Sequence, residues 1–155
     1  MTLALLVPLA GDALAVQCEG VDTTSNCATT CAGTALSDFL FGGSPANVMN
    51  GLDDDDEVHG EGGGDRVCGG PDTDSVRGNG SDDDVYGQRG ADVIVAGGTQ
   101  DDSVYGQEDG DKVYDGDGAD FVDGGSGTDL WFICNDGAPD TAQNFELSQF
   151  GSCSP

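Results

Sequence analysis

From Gly42 onward an apolar residue returns once in every nine, and two places before it stands an acid. The apolar positions are Met49, Val58, Val67, Val76, Val85, Ile94, Val104, Val113, Val122 and Trp131. The preceding polar positions are Asn47, Asp56, Asp65, Asp74, Asp83, Asp92, Asp102, Asp111, Asp120 and Asp129, so nine of the ten are aspartate. Glycine opens nine of the ten blocks, the exception being the block that starts at Asp115, and one extra residue, Ala96, stands before the block at Gly97. A single apolar side chain between two outward neighbours describes a very short strand. The pattern therefore predicts a three-residue strand at the end of each block. The other six residues form a turn, whose opening glycine serves positive φ or close backbone approach. Two blocks close one coil of 18 residues, and stacked coils make two parallel sheets with the valines between them.

Two blocks carry a resemblance most clearly: Gly87-Gln88-Arg89-Gly90-Ala91-Asp92-Val93-Ile94-Val95 and Gly124-Gly125-Ser126-Gly127-Thr128-Asp129-Leu130-Trp131-Phe132. Both resemble the G-G-x-G-x-D-x-U-x nonapeptide of the RTX (repeats in toxin) family, and the resemblance runs over residues 42–132. It implies an all-β chain, a right-handed parallel β-roll (a β-helix solenoid), in which each calcium ion lies between stacked turns. The ligands it implies are the sixth-position aspartates Asp56, Asp65, Asp74, Asp83, Asp92, Asp102, Asp111, Asp120 and Asp129, together with loop carbonyls. On one edge this pairs Asp65 with Asp83, Asp83 with Asp102 and Asp102 with Asp120. On the other it pairs Asp56 with Asp74, Asp74 with Asp92, Asp92 with Asp111 and Asp111 with Asp129. The fourth position departs from the family pattern, being glycine only at Gly63, Gly90, Gly118 and Gly127.

Charge points the same way. With 30 acidic against 4 basic residues the formal charge is -26, which excludes nucleic acid and anionic membrane as electrostatic partners and favours cations. Stacking brings the aspartates into columns where like charges oppose folding. A thin core cannot offset an ordering cost of about 1–2 kcal/mol per residue. Calcium answers both, because it takes many oxygen ligands, carbonyls included, in flexible geometry, whereas magnesium demands a stricter octahedron. Five turns on each edge leave room for at most about eight ions, and folding is expected to depend on them.

The flanks are read as separate segments. Residues 1–15 are an export signal or an apolar N-terminal segment, too short to span a bilayer. Residues 16–41, with Cys18, Cys27 and Cys31, form an N-terminal cap, in which a bond to Cys68 is one arrangement. Residues 133–155 form a C-terminal cap, with Cys134 bonded to Cys153 over Trp131. Six cysteines, only one of them inside the repeats proper, are read as disulfides of an oxidising compartment. A zinc site would have only His59 to draw on.

The runs Asp53 to Glu57 and Asp82 to Asp84, and Asp115 and Asp117, include turn acids that are read as solvated. No EF-hand loop fits around Asp115, no catalytic constellation is legible, and Asn79-Gly80-Ser81 is a weak glycosylation match. Outward positions Val93, Val95, Tyr114, Leu130 and Phe132 predict an apolar contact patch for self-association or a cell-surface or matrix partner. Tyr86 and Tyr105 predict a stacked pair. The expected function is a non-catalytic, secreted, calcium-folded structural, adhesive or self-assembling element of bacterial origin. A secretion and folding module of an exported enzyme or toxin, and a carbohydrate-binding accessory module, are the alternatives.

Overall fold

A computed structural model describes residues 25–26, 30–134 and 137–151, with side chains over 30–134 and 137–146. All of its regular structure is parallel β. One sheet has eight strands: β1 (Ser25–Asn26), β3 (Phe39–Gly43), β5 (Glu57–Gly62), β7 (Ser75–Gly80), β9 (Val93–Val95), β11 (Lys112–Tyr114), β13 (Leu130–Cys134) and β15 (Leu147–Gly151). The other has seven: β2 (Thr30–Ala32), β4 (Val48–Asn50), β6 (Arg66–Pro71), β8 (Asp84–Arg89), β10 (Ser103–Glu108), β12 (Phe121–Ser126) and β14 (Thr141–Gln143). Odd strands pair with odd and even with even, so each coil adds one strand to each sheet, as the nine-residue period predicts.

The register puts every eighth position on its equivalent: Val58 lies beside Val76, Val76 beside Ile94, Val67 beside Val85 and Val104 beside Val122. These side chains form one continuous stack between the sheets. Leu40, Met49, Val58, Val67, Val76, Val85, Ile94, Val104, Val113 and Val122 are all buried. Among the described residues this stack, with Cys31 and Ala96, makes up the core cluster, and Trp131 closes it only partly. The Tyr86 and Tyr105 rings do stack, 4.9 Å apart and inclined by 8°.

The solenoid reaches beyond the ten blocks. Gly33, Asp38 and Leu40 hold first, sixth and eighth places ahead of Gly42, and β2 pairs with β4. At the other end β14 and β15 extend both sheets past Phe132. The described parts of 16–41 and 133–155 thus carry strands of the same two sheets. Residues 1–15, Cys18, Cys27 and Cys153 lie outside the described residues. Cys31 and Cys134 are disulfide-bonded, whereas Cys68 is free, which removes the bridge from the N-terminal flank to Cys68.

Crowding and backbone φ explain the glycines. The first position has no unusual φ but no room. A Cβ on Gly87 would stand 2.5 Å from its own block's Asp92 Oδ2 and 2.9 Å from the Gly106 carbonyl of the next coil. The second and fourth positions have positive φ in nearly every turn, and Leu52, Asp54, Asp72, Gln88 and Asp109 adopt it without being glycine. Such a backbone costs an ordinary residue about 1–2 kcal/mol. Where crowding and φ coincide the strain is greatest: Gly90 has φ +128 and faces the Asp72 carbonyl. Gly90→Ala should lower the stability of the calcium-loaded chain by about 1–3 kcal/mol, read as a drop in its thermal midpoint. Gly137→Ala, at φ +95 with nothing near the added Cβ, should cost less.

The inserted residue is not where the period alone puts it. Ala96, fully buried, itself takes the first position: its N–H donates to the Tyr114 carbonyl and its own carbonyl accepts from Asn79. Gly97 then holds the positive φ of a second position, at +83, and the extra residue lengthens the turn that leads to Asp102.

Candidate metal centre

The sixth-position aspartates are where the sequence predicts, on the inner side of the turns along both edges. Asp56, Asp65, Asp74, Asp83, Asp92, Asp102, Asp111, Asp120 and Asp129 are all buried. Their surroundings repeat. One carboxylate oxygen, Oδ1, accepts the backbone N–H of the sixth residue one coil earlier: Asp56 N–H donates to Asp74, Asp74 to Asp92, Asp65 to Asp83 and Asp102 to Asp120, each at 2.8 Å. Asp83 to Asp102 and Asp111 to Asp129 are also 2.8 Å, and Asp92 to Asp111 is 2.9 Å. Every neighbour pair expected from sequence is joined in this way.

The second oxygen is different. In all nine aspartates Oδ2 is buried and has no hydrogen-bond partner. A buried carboxylate oxygen left unpaired is costly, and nine such oxygens in two columns call for a partner that brings positive charge. The donors are all oxygen, which suits a hard cation such as calcium. Among the described residues no three acidic, histidine or cysteine side chains converge on one metal-sized point. The remaining ligands would therefore come from turn carbonyls. Those of Leu52, Asp72, Gln100, Gln107 and Asp109 point along the axis at Gly70, Gly90, Gly118, Gly125 and Gly127 of the following coil.

Electrostatics agree. Burial, opposed by the backbone hydrogen bond and reinforced by neighbouring carboxylates, pushes Asp74, Asp83, Asp111 and Asp120 up to about 7. Asp102, beside Asp83, Asp120 and Asp82, rises to about 8, again chiefly through burial. Asp56, Asp65 and Asp92 reach about 6, and Asp129 is also raised by burial.

Turn acids divide. Asp53, Asp54, Asp55, Asp82 and Asp84 are exposed, as expected. Asp115 is not solvated: it is fully buried in a first position, and burial raises its pKa to about 6. Its Oδ1 accepts the Cys134 N–H and its Oδ2 the Trp131 indole N–H, both at 2.8 Å. A carboxylate fits where glycine stands elsewhere because these two donors of the next coil face it.

Sequence reading missed three acids that continue these columns: Asp38, Asp140 and Glu146. Asp38 donates its N–H to Asp56 Oδ1 at 2.8 Å, but its own Oδ2 is satisfied by Thr34, through N–H at 2.5 Å and Oγ1 at 2.9 Å. Asn47 closes its turn in the same fashion, accepting the Gly43 N–H at 2.7 Å. The Gly33, Asp38 and Leu40 spacing was the available signal for the first of these.

With this geometry in view, the family comparison decides the identity. Residues 33–67, 69–98 and 96–130, well over half the chain, match the RTX calcium-binding nonapeptide repeat (4 copies). The chain belongs to that family. No curated protein and no solved structure matches it. Membership makes it a calcium-binding repeat protein of β-solenoid fold, with a calcium-binding structural role. Bound calcium would supply positive charge between turns, and this chain's unpaired Oδ2 oxygens and turn carbonyls are the groups that would face it.

The outer faces of the RTX solenoid are less open than the sequence predicts. Val95 is buried, and Val93, Tyr114, Leu130 and Phe132 are half-buried, because neighbours in the ladder cover one another. The Tyr114 and Phe132 rings, for example, stack at 4.5 Å. Among the described residues the exposed large apolar side chains are instead Leu36, Phe39 and Val48, near the other end. His59 pairs with Glu57 at 2.8 Å and lies against Phe41.

Proposed function

We propose that this RTX chain is a non-catalytic element that folds outside the cell when calcium enters its turns, and that it then serves as a rigid structural or adhesive unit. The observation that carries this reading is the double column of nine buried aspartates, each with one unpartnered oxygen. Asp56, Asp65, Asp74, Asp83, Asp92, Asp102, Asp111, Asp120 and Asp129 are its ligands, each shared between neighbouring gaps. Proteins with these repeats are typically exported bacterial proteins, and an extracellular setting supplies calcium and permits the disulfides of Cys31 and Cys134. No helix among the described residues is long and apolar enough to cross a membrane.

The contact surface is the half-buried apolar part of the eight-stranded sheet, Val93, Tyr114, Leu130 and Phe132 beside the buried Val95, turned toward a second copy or a matrix partner. A carbohydrate platform fits less well. Tyr86 is covered on one face by the Arg66 guanidinium, 5.2 Å from the ring centre, and on the other by Tyr105. Sugar stacking needs a free face, and the ladder leaves ring edges. Calorimetric titration should count several calcium ions, at most about eight between the ten blocks. A chain that binds none at extracellular concentrations would end the reading.

A further inference from the structure

The turn that follows β14 breaks the period. After Gln143, Asn144 takes a first position: its carbonyl faces Gly124 of the preceding coil, as the Gly69 carbonyl faces Gly51. The next acid is only two residues on, at Glu146, where the complete blocks need five, or six after Ala96. Glu146 nevertheless fills the sixth place. Its Oε2 accepts the Asp129 N–H at 2.7 Å, just as Asp129 Oδ1 accepts the Asp111 N–H. A glutamate, one methylene longer than aspartate, spans what the shortened turn leaves.

This terminal gap holds the same unmet demand as the gaps before it. Asp129 is fully buried and its Oδ2 has no partner. That oxygen lies 2.9 Å from where a Cβ on Gly124 would stand and the Asn144 carbonyl oxygen is closer still, so two oxygens already face each other across this glycine. Asp123 borders the gap but is engaged by the side-chain amides of Gln143 and Asn144, each at 2.7 Å. The geometry points to Glu146 as the last calcium ligand on this edge, sharing an ion with Asp129 one gap beyond the ten blocks. The inference rests on the calcium reading above. Its consequence is local: the ion ties Phe145 against Trp131, whose rings are 5.8 Å apart, and so holds the end of the solenoid shut.

Trp131 is the only tryptophan in the sequence and therefore a private reporter of this end. In the full chain, Glu146→Gln keeps an oxygen for the Asp129 N–H but removes the charge. The expected result is one calcium ion fewer by calorimetry, with the Trp131 emission midpoint moved to about tenfold more calcium and the far-UV dichroism midpoint nearly unmoved. An unchanged ion count with an unmoved Trp131 transition overturns the inference. A wild-type chain that binds no calcium would instead remove the reading beneath it. If Glu146→Gln fails to fold at any calcium concentration, Glu146→Lys decides, since its ammonium replaces the ion's charge. Folding with one ion fewer upholds the site, and failure to fold makes Glu146 a packing residue only.

Discussion

In excess chelator the far-UV circular dichroism of this protein will be that of an unfolded chain, and saturating calcium will convert it cooperatively into a β spectrum. Nine buried carboxylates, stacked in two columns and each lacking a partner for one oxygen, oppose the coil. A core of one side chain per strand is too thin to outweigh them. An uncompensated buried charge costs several kcal/mol. Each ion held at a hundred times its dissociation constant adds about 2.7 kcal/mol to the folded state. Residual structure in chelator should also respond to acid in a defined direction. The folded-state values of the aspartates, about 6 to about 8, lie above their ordinary 3.8. The metal-free coil thus keeps protons that the unfolded chain has released. Its stability falls as pH rises from about 4 to about 8, so more β signal should survive chelation at low pH than at high. With calcium the order reverses, because ligands must be deprotonated. A β spectrum indifferent to chelator at neutral pH would refute the scheme.

How much of this was legible beforehand depends on how local each feature is. Inward valines and sixth-position aspartates are readable because each obeys a period that repeats within nine residues. The site of the insertion is not: Ala96, Gly97 and Gly98 are all small enough for a first position, and only the stacking of Ala96 between Asn79 and Tyr114 decides. Asp115 reads as one more turn acid, since its partners, Trp131 and Cys134, arrive 16 and 19 residues later in the next coil. Glu146 escapes because its turn is shortened and the period that identifies the others no longer applies. The apolar patch was over-read for a related reason: parallel in-register stacking hides each outward side chain behind its neighbours, and spacing along one strand does not reveal that.

Asp92→Asn should move the chain in opposite directions with and without calcium. Asp92 is in the middle of its column and buried, with Oδ1 accepting the Asp74 N–H at 2.8 Å and its own N–H donated to Asp111 at 2.9 Å. Asparagine has the same shape, and its amide oxygen can keep the Asp74 bond. What changes is the charge and the atom in the place of Oδ2, where a donor replaces an acceptor. Two gaps, toward Asp74 and toward Asp111, lose a carboxylate ligand. Half-saturating calcium for folding should therefore rise by at least about tenfold, equivalent to about 1.4 kcal/mol. In chelator the sign inverts, because removing one buried charge removes the desolvation cost that raises Asp92 and the repulsion by which Asp92 raises Asp74 and Asp111. The first turn already has this residue: Asn47 occupies a sixth position and bonds to Gly43 without a carboxylate. Asp53→Asn, at an exposed turn position, is the matched control and should change neither quantity. Calcium titrations followed by circular dichroism measure all three chains. Equal calcium dependence of Asp92→Asn and the parent would mean that the buried columns hold no ion.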